Sequence, residues 1–370
     1  MTIPIAQPDL GEEEIAAVAE VIRSGMIASG PKVAEFERRF ADYCGTEYAI
    51  ATSNGTTSLH AGMLAAGIGP GDEVIVPAFT FFATASSVSM CGATPVFADV
   101  DEWTFNLDPA SVLEAITPKT KAIMGVHLFG QPFDVDAVQE ICDDHNILLF
   151  EDAAQAHGAE YHGRRVGGLG GLGTFGSFSF YPTKNMTTGE GGMVTTNDPE
   201  IARKTRLLVN HGQAEKYLHT AIGYNFRMTD IGAAIGLVQL GKLEGFNERR
   251  TANARYYDEH LTAPGVVTPY VAPGGRHVYH QYVATVGDEC PLTRDELMAY
   301  LGRQGVGSAV HYPIPVQDQP VYRAGQDAVK CPVSSQLARQ VLSLPVHPGI
   351  GIKELEQVCD AVNRVKEAGR

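Results

Sequence analysis

Apolar residues recur at helical spacing over Glu13–Ser24 and again over Pro31–Tyr43, which predicts two amphipathic helices. From Glu47 onward the rhythm changes. Short β-branched or aromatic runs (EYAIATS, DEVIVPAF, TPVFADV, KAIMGVHLFG, NILLFEDAA, GSFSFY, GMVTT) alternate with helical stretches, one from Thr57 and another near Ala83. Near-continuous apolar runs between helices predict a mostly parallel sheet covered on both faces, an α/β fold. A long, charged helical stretch between about Gly236 and Tyr257 is placed to bridge domains. Beyond it, HVYHQYVATV, GVGSAVHYPIP and a helical tail from Lys353 predict a small α+β domain. The division is drawn at 1–245 for the large domain and 246–370 for the small one.

The polar punctuation is not random. Asn54-Gly55-Thr56, Phe79-Thr80-Phe81, Glu151-Asp152 and Thr183-Lys184 each follow an apolar run. Ligands of open α/β sheets sit beyond the carboxyl ends of the strands, so these positions form the candidate site. A length of 370 residues suits two domains. The net charge of −15 leaves no broad basic surface, so nucleic acid is not an expected partner. Small anions remain possible ligands, because backbone N–H groups and a few cations can hold them locally. No apolar run approaches bilayer length, and the opening MTIPIAQPDLGEEEIAAV is acidic where a secretion signal is basic. A cytoplasmic protein with no membrane partner is expected. The six cysteines stand singly, which reads as buried thiols rather than a metal or redox pair.

Within the candidate site, SFSFYPTKNMTTGEGG puts Lys184 in a turn just past a short strand. A lysine partly desolvated there can have a depressed pKa and attack a carbonyl, although a lone lysine taken by itself reads better as an exposed loop residue. Asp152 ends the apolar run NILLFED, where it would suit either a protonated ring nitrogen or a helix cap. The first turn Gly55-Thr56-Thr57-Ser58 offers orphan N–H groups, a helix dipole and hydroxyls, a natural phosphate seat. Ser179 could add a hydroxyl to the same phosphate. Phe81 and Phe82 can stack on a planar ligand or fill the core.

These segments together resemble the DegT/StrS type of pyridoxal 5′-phosphate (PLP) dependent sugar aminotransferases, within the fold type I superfamily. The resemblance runs through Ser29-Gly30-Pro31, NGTTSL, PAFTFFAT, EDAAQAHGA, SFYPTKN with GEGG, GYNFRMTDIGAAIG, HVYHQYV, HYPIP and VLSLPVHP. It implies a large domain built on a seven-stranded, mostly parallel sheet between helices. It also implies that Lys184 forms the internal Schiff base, that Asp152 pairs with the pyridinium nitrogen, and that Gln155 contacts the ring hydroxyl side. Gly55, Thr56, the Thr57 backbone and Ser179 would hold the phosphate, and Phe81 would stack on the ring. Asn225 would reach the phosphate of a neighbouring subunit, making a homodimer with shared active sites. The implied ping-pong cycle takes an amino group from glutamate through pyridoxamine 5′-phosphate (PMP) to a keto-sugar nucleotide. Gln155-Ala156-His157-Gly158-Ala159 and SFYP favour C3 over C4, while Thr183 and Glu190 stand where C3 members often have Gly and Asp. His280, His311, Tyr312 and Arg227 are candidate substrate contacts. Two alternatives stay open, amination of a keto-cyclitol or related precursor, and a non-catalytic protein that binds PLP or a sugar nucleotide. Gly168–Gly173 satisfies G-x-G-x-x-G, but a strand rather than a helix is expected to follow it, so it reads as a loop.

Overall fold

The computed structural model describes residues 2–323 and 330–365. Two helices open the chain, α1 (Glu12–Ser24) and α2 (Pro31–Cys44), close to the stretches predicted for them. Pro31 begins α2, where its missing N–H costs nothing. Seven strands follow: β1 (Tyr48–Thr52), β2 (Glu73–Pro77), β3 (Thr94–Ala98), β4 (Thr120–Val126), β5 (Leu148–Asp152), β6 (Gly176–Ser179) and β7 (Gly192–Thr196). They form one sheet in the order β1-β7-β6-β5-β4-β2-β3. β7 runs antiparallel to both neighbours, and the remaining pairs are parallel. The reason lies in the connection. Residues 180–191 join β6 to β7 without a helix, so no crossover brings the chain back in the same direction.

The sheet is covered by α3 (Gly55–Ala65), α4 (Phe82–Met90) and α7 (Pro199–Val209) on one side, and by α5 (Pro109–Ala115) and α6 (Val135–His145) on the other. Strand side chains alternate between the two layers. Val74, Val76, Ala122, Met124 and Phe150 pack with Leu59, Met63, Val88 and Ile201, whereas Ile75, Ile123 and Leu149 pack with Val112, Val138 and Ile141. Burial on both faces is what the continuous apolar runs require.

α8 (Asp230–His260) is longer than its predicted core, and the Thr229 hydroxyl caps it by accepting from the Gly232 N–H at 3.1 Å. Its Ala233 and Leu243 join Phe36 and Phe40 in one core, while Ala254 and Tyr257 join Tyr282, Leu297, Leu342 and Val358 in another. Position 245 falls between these two contributions. The second core gathers around an antiparallel sheet of β8 (Val266–Val267), β9 (Tyr282–Val286) and β10 (Val341–Leu344). The helix Ile352–Asn363 realises the predicted tail.

The glycine-dense segment carries no helix and leads into β6. Glu151 accepts hydrogen bonds from Gly167 N and Leu169 N, each at 2.7 Å, which pins the start of this loop. A Cβ on Gly176 would sit 2.4 Å from the Gly167 Cα, so the two backbones can approach only without side chains. All six cysteines are buried and unpaired. Among the described residues no helix is long and apolar enough to cross a membrane.

Candidate active site

The carboxyl ends of the strands bring the sequence candidates together. Asp152, the last residue of β5, is buried on the side of α3 and α4. Its Oδ2 accepts from the Thr84 hydroxyl at 2.8 Å and its Oδ1 from Ala154 N at 3.1 Å. No lysine or arginine lies within ion-pair distance of it among the described residues. Burial pushes its carboxyl above the usual range. The Thr84 and Ala154 hydrogen bonds and the charges of Lys184 and His127 pull it back.

Lys184 follows β6 in the connection to β7, with its N–H bonded to Tyr181 O at 2.9 Å. Burial lowers its amine to about 8, and the negative charge of Asp152 acts in the other direction. The amine has no hydrogen-bond partner among the described residues. Its neighbour Asn185 is tightly anchored. The Asn185 Nδ2 donates to Asn247 Oδ1 on α8 at 2.8 Å and to Val278 O at 3.0 Å, and Asn247 Nδ2 donates to His157 O at 2.8 Å. The loop carrying the lysine is therefore tied both to the long helix and to the segment before β9.

The phosphate seat is half built by capping. Asn54 caps α3 and its Oδ1 accepts from Thr57 N at 2.9 Å, while the Thr57 hydroxyl donates to Asn54 O at 2.8 Å. The Thr57 N–H, expected at the phosphate, is engaged in this cap. The free donors lie one turn-step earlier, at Gly55 N and Thr56 N, and they are joined by the Thr56 and Ser179 hydroxyls. None of these four has a partner among the described residues. A Cβ on Gly55 would lie 2.6 Å from Ser179 Cβ, so only glycine lets Ser179 close over this helix end.

A third group forms around Tyr312. Its hydroxyl accepts from Gln155 Nε2 at 2.8 Å, and Gln155 Oε1 accepts from Phe129 N at 2.7 Å. Gln155 thus keeps a single amide N–H for a ligand. Phe81 stands at the start of α4, 55% exposed, with its ring centroid 5.9 Å from that of Tyr312. The histidines nearby are held neutral. Burial lowers His311 to about 4 and His157 to about 3, with the Lys184 charge adding to both, and it lowers His280 well below the usual range. His311 Nδ1 lies 2.8 Å from the Ser343 hydroxyl, whereas His280 Nδ1 is buried without a partner.

Asn225 and Arg227 sit apart from this group. Asn225 is exposed and bridges backbone to backbone with Asn210, whose Oδ1 accepts from Arg227 Nη1 at 2.8 Å. The connection to the phosphate seat is through the backbone, since Ser53 N donates to Phe226 O at 2.7 Å. Residues that sequence reasoning missed are Thr84, His127, Asn185 and Asn247. Only Thr84 carried a signal, its place in PAFTFFAT at the first turn of α4.

A buried carboxylate without an ion pair, a lysine amine lowered by burial, an exposed aromatic ring and four unpartnered donors around a helix N-terminus fit a planar, cationic-ring, phosphate-bearing cofactor.

The comparisons agree. The sequence profile of the DegT/DnrJ/EryC1/StrS aminotransferase family matches residues 8–363. The chain is 43% identical over 372 residues to a GDP-perosamine synthase from Caulobacter vibrioides, covering 98% of each chain. It is 42% identical over 371 residues to the dTDP-3-amino-3,4,6-trideoxy-alpha-D-glucose transaminase of Streptomyces venezuelae, covering 99% of this chain and 96% of that one. Among solved structures it is similar to a Streptococcus pneumoniae protein assigned as a sugar aminotransferase, in its PLP form, with 30% identity, a TM-score of 0.93 and complete coverage of both chains.

Proposed function

The chain belongs to the DegT/DnrJ/EryC1/StrS aminotransferase family, and from that premise we propose that it is a PLP-dependent aminotransferase acting on a keto-sugar nucleotide. The observation that carries the reading is the meeting of Lys184 and Asp152 beside the free donors of Gly55, Thr56 and Ser179. Lys184 would hold the cofactor covalently, and those donors would take its phosphate. Asp152 would keep the pyridine nitrogen protonated, with Phe81 against the ring and Gln155 at its hydroxyl side. PLP, when bound, supplies an electron-withdrawing ring that stabilises negative charge at the substrate carbon bearing the amino group.

The protein's own groups do the proton work. With an amine near 8, Lys184 is present in both protonation states at neutral pH, so it can take a proton from that carbon and return it elsewhere. The neutral histidines around it, His157, His280 and His311, do not compete for that role as acids. They offer hydrogen-bonding surfaces to a sugar, together with Tyr312. Ping-pong turnover with glutamate as donor, through PMP, follows from the family.

The same reading extends to organisation. The cofactor-binding unit spans 1–245 and the C-terminal unit 246–370, following the two cores that α8 joins. A cytoplasmic homodimer is part of the proposal, with Asn225 reaching the phosphate of the partner site. Its support is the exposure of Asn225 next to Ile222, which is 91% exposed, and Tyr217, which is 83% exposed. Amination at C3 rather than C4 is favoured by the Gln155–Ala159 segment and by the 3-amino product named for the Streptomyces venezuelae relative.

The test is direct. Purified protein with PLP and glutamate is incubated with a set of 3-keto and 4-keto nucleotide sugars, and product is read by mass. An aminated 3-keto substrate is the expected result. Bleaching of the visible cofactor band by glutamate without any aminated sugar would replace the substrate reading with the keto-cyclitol one.

A further inference from the structure

Two buried threonines stand behind Asp152. Thr84, at the third position of α4, donates its hydroxyl to Asp152 Oδ2 at 2.8 Å, and the Thr80 hydroxyl lies 3.1 Å from the Thr84 Oγ1. Both side chains are buried, Thr84 completely. An ionised carboxylate only accepts, so Thr84 must give its one hydroxyl proton to Asp152. Thr80 is then the donor to Thr84, and the two bonds point the same way, from Thr80 through Thr84 to the carboxylate. Aligned hydroxyls polarise one another, and charge-assisted bonds are the stronger kind. The other carboxylate oxygen is held only by Ala154 N.

We propose that Thr84, oriented by Thr80, is a positioning residue that fixes the Asp152 carboxylate ionised and aimed at a cationic ring nitrogen. The proposal rests on the PLP reading above. Its logic is that burial alone disfavours the charged carboxylate, so something local must hold it until the cofactor arrives. The Thr84 hydroxyl is the side-chain group that touches it, and the Thr80 hydroxyl backs that group from behind.

The experiment compares Thr84→Val, Thr84→Ser and Thr80→Val in the full-length protein reconstituted with PLP. Three quantities are measured: the PLP dissociation constant by absorbance, the acid limb of the kcat/KM pH profile, and the melting temperature of the apo protein. Thr84→Val should weaken PLP binding about tenfold or more, the size expected for one hydrogen bond to a charged group. It should also move the acid limb to higher pH, because a carboxylate that has lost its donor protonates sooner. Thr84→Ser should restore both. Thr80→Val should shift both in the same direction by less, and it serves as the test if Thr84→Val does not fold.

Native PLP affinity and an unmoved acid limb in Thr84→Val would overturn the inference. So would equal losses in Thr84→Ser and Thr84→Val, which would make the methyl group rather than the hydroxyl the important part. Asp152→Asn separates this inference from the reading beneath it. If Asp152→Asn is impaired while Thr84→Val is not, only the role of Thr84 fails. If Asp152→Asn itself binds PLP and turns over normally, the ring-pairing role fails first.

Discussion

Glu151 and Asp152 are neighbours on β5, both buried, and they leave the strand on opposite faces. Glu151 is surrounded by partners. It accepts from Gly167 N and Leu169 N, and His127 Nε2 lies 3.1 Å from its Oε2. Asp152 receives one hydroxyl and one N–H and has no ion pair among the described residues. A carboxylate whose lone pairs are used by the backbone holds a loop in place. One with few partners in a buried pocket is suited to pair with a cationic ligand. Adjacent residues of like charge therefore differ in use because the pleat sends them to different surroundings.

The same contrast separates the donors of the α3 turn. Thr57 spends its N–H and hydroxyl on Asn54, while the Gly55 N–H and the Thr56 N–H and hydroxyl have no partner among the described residues. Satisfaction marks structure here, and its absence marks the site.

The largest effect expected concerns Lys184. Lys184→Ala should lower turnover by roughly 10²–10⁴-fold or more, the range for loss of a positioned acid–base group, with the apo protein melting normally. Native turnover, or a borohydride-fixed cofactor on any other peptide, would end the assignment.

Asp152→Asn against Glu151→Gln breaks the carboxylate comparison directly. Asp152→Asn should lose most activity while keeping the fold, since a neutral amide cannot keep the ring nitrogen protonated. Glu151→Gln should do the reverse. It removes an acceptor from one of the two loop N–H groups, of which Gly167 N is buried, and this costs about 1–3 kcal/mol of stability read from the urea midpoint, with the cofactor spectrum unchanged. Equal loss of activity in both variants would erase the distinction.

Gly55→Ala should come next. The added methyl meets Ser179 and costs about 1–3 kcal/mol as overpacking, and the displaced hydroxyl should weaken PLP binding as measured by absorbance titration. Gly25→Ala serves as the contrast. It meets nothing within 4 Å but sits at φ 74°, so it should lower the melting temperature without touching PLP affinity.

The smallest effect is a pH dependence. Burial lowers the Lys184 amine to about 8, and only the neutral amine attacks the cofactor aldehyde. Covalent PLP uptake by the apo protein, followed by absorbance, should rise about tenfold per pH unit below 8 and level off above it. A rise that continues to pH 10 would mean an amine with an ordinary pKa.

The order of strands and helices was written in the chain, because parallel strands buried on both faces demand unbroken apolar runs between amphipathic helices. The candidate site was legible for a related reason. Asp152 and Lys184 each interrupt an apolar pattern just past a strand, and Gly55-Thr56 opens a helix directly after another. Chemistry of this kind shows as local punctuation. What the chain could not reveal by itself was which polar groups already had partners. Thr84 meets Asp152 across 68 positions, Gln155 meets Tyr312 across 157, and Asn185 meets Asn247 across 62. A hydrogen bond depends on ångström-scale distance and direction, and between elements so far apart in sequence only their packing sets either one. The apolar pattern determined where the site would form, and tertiary packing decided which donors and acceptors there remain unspent.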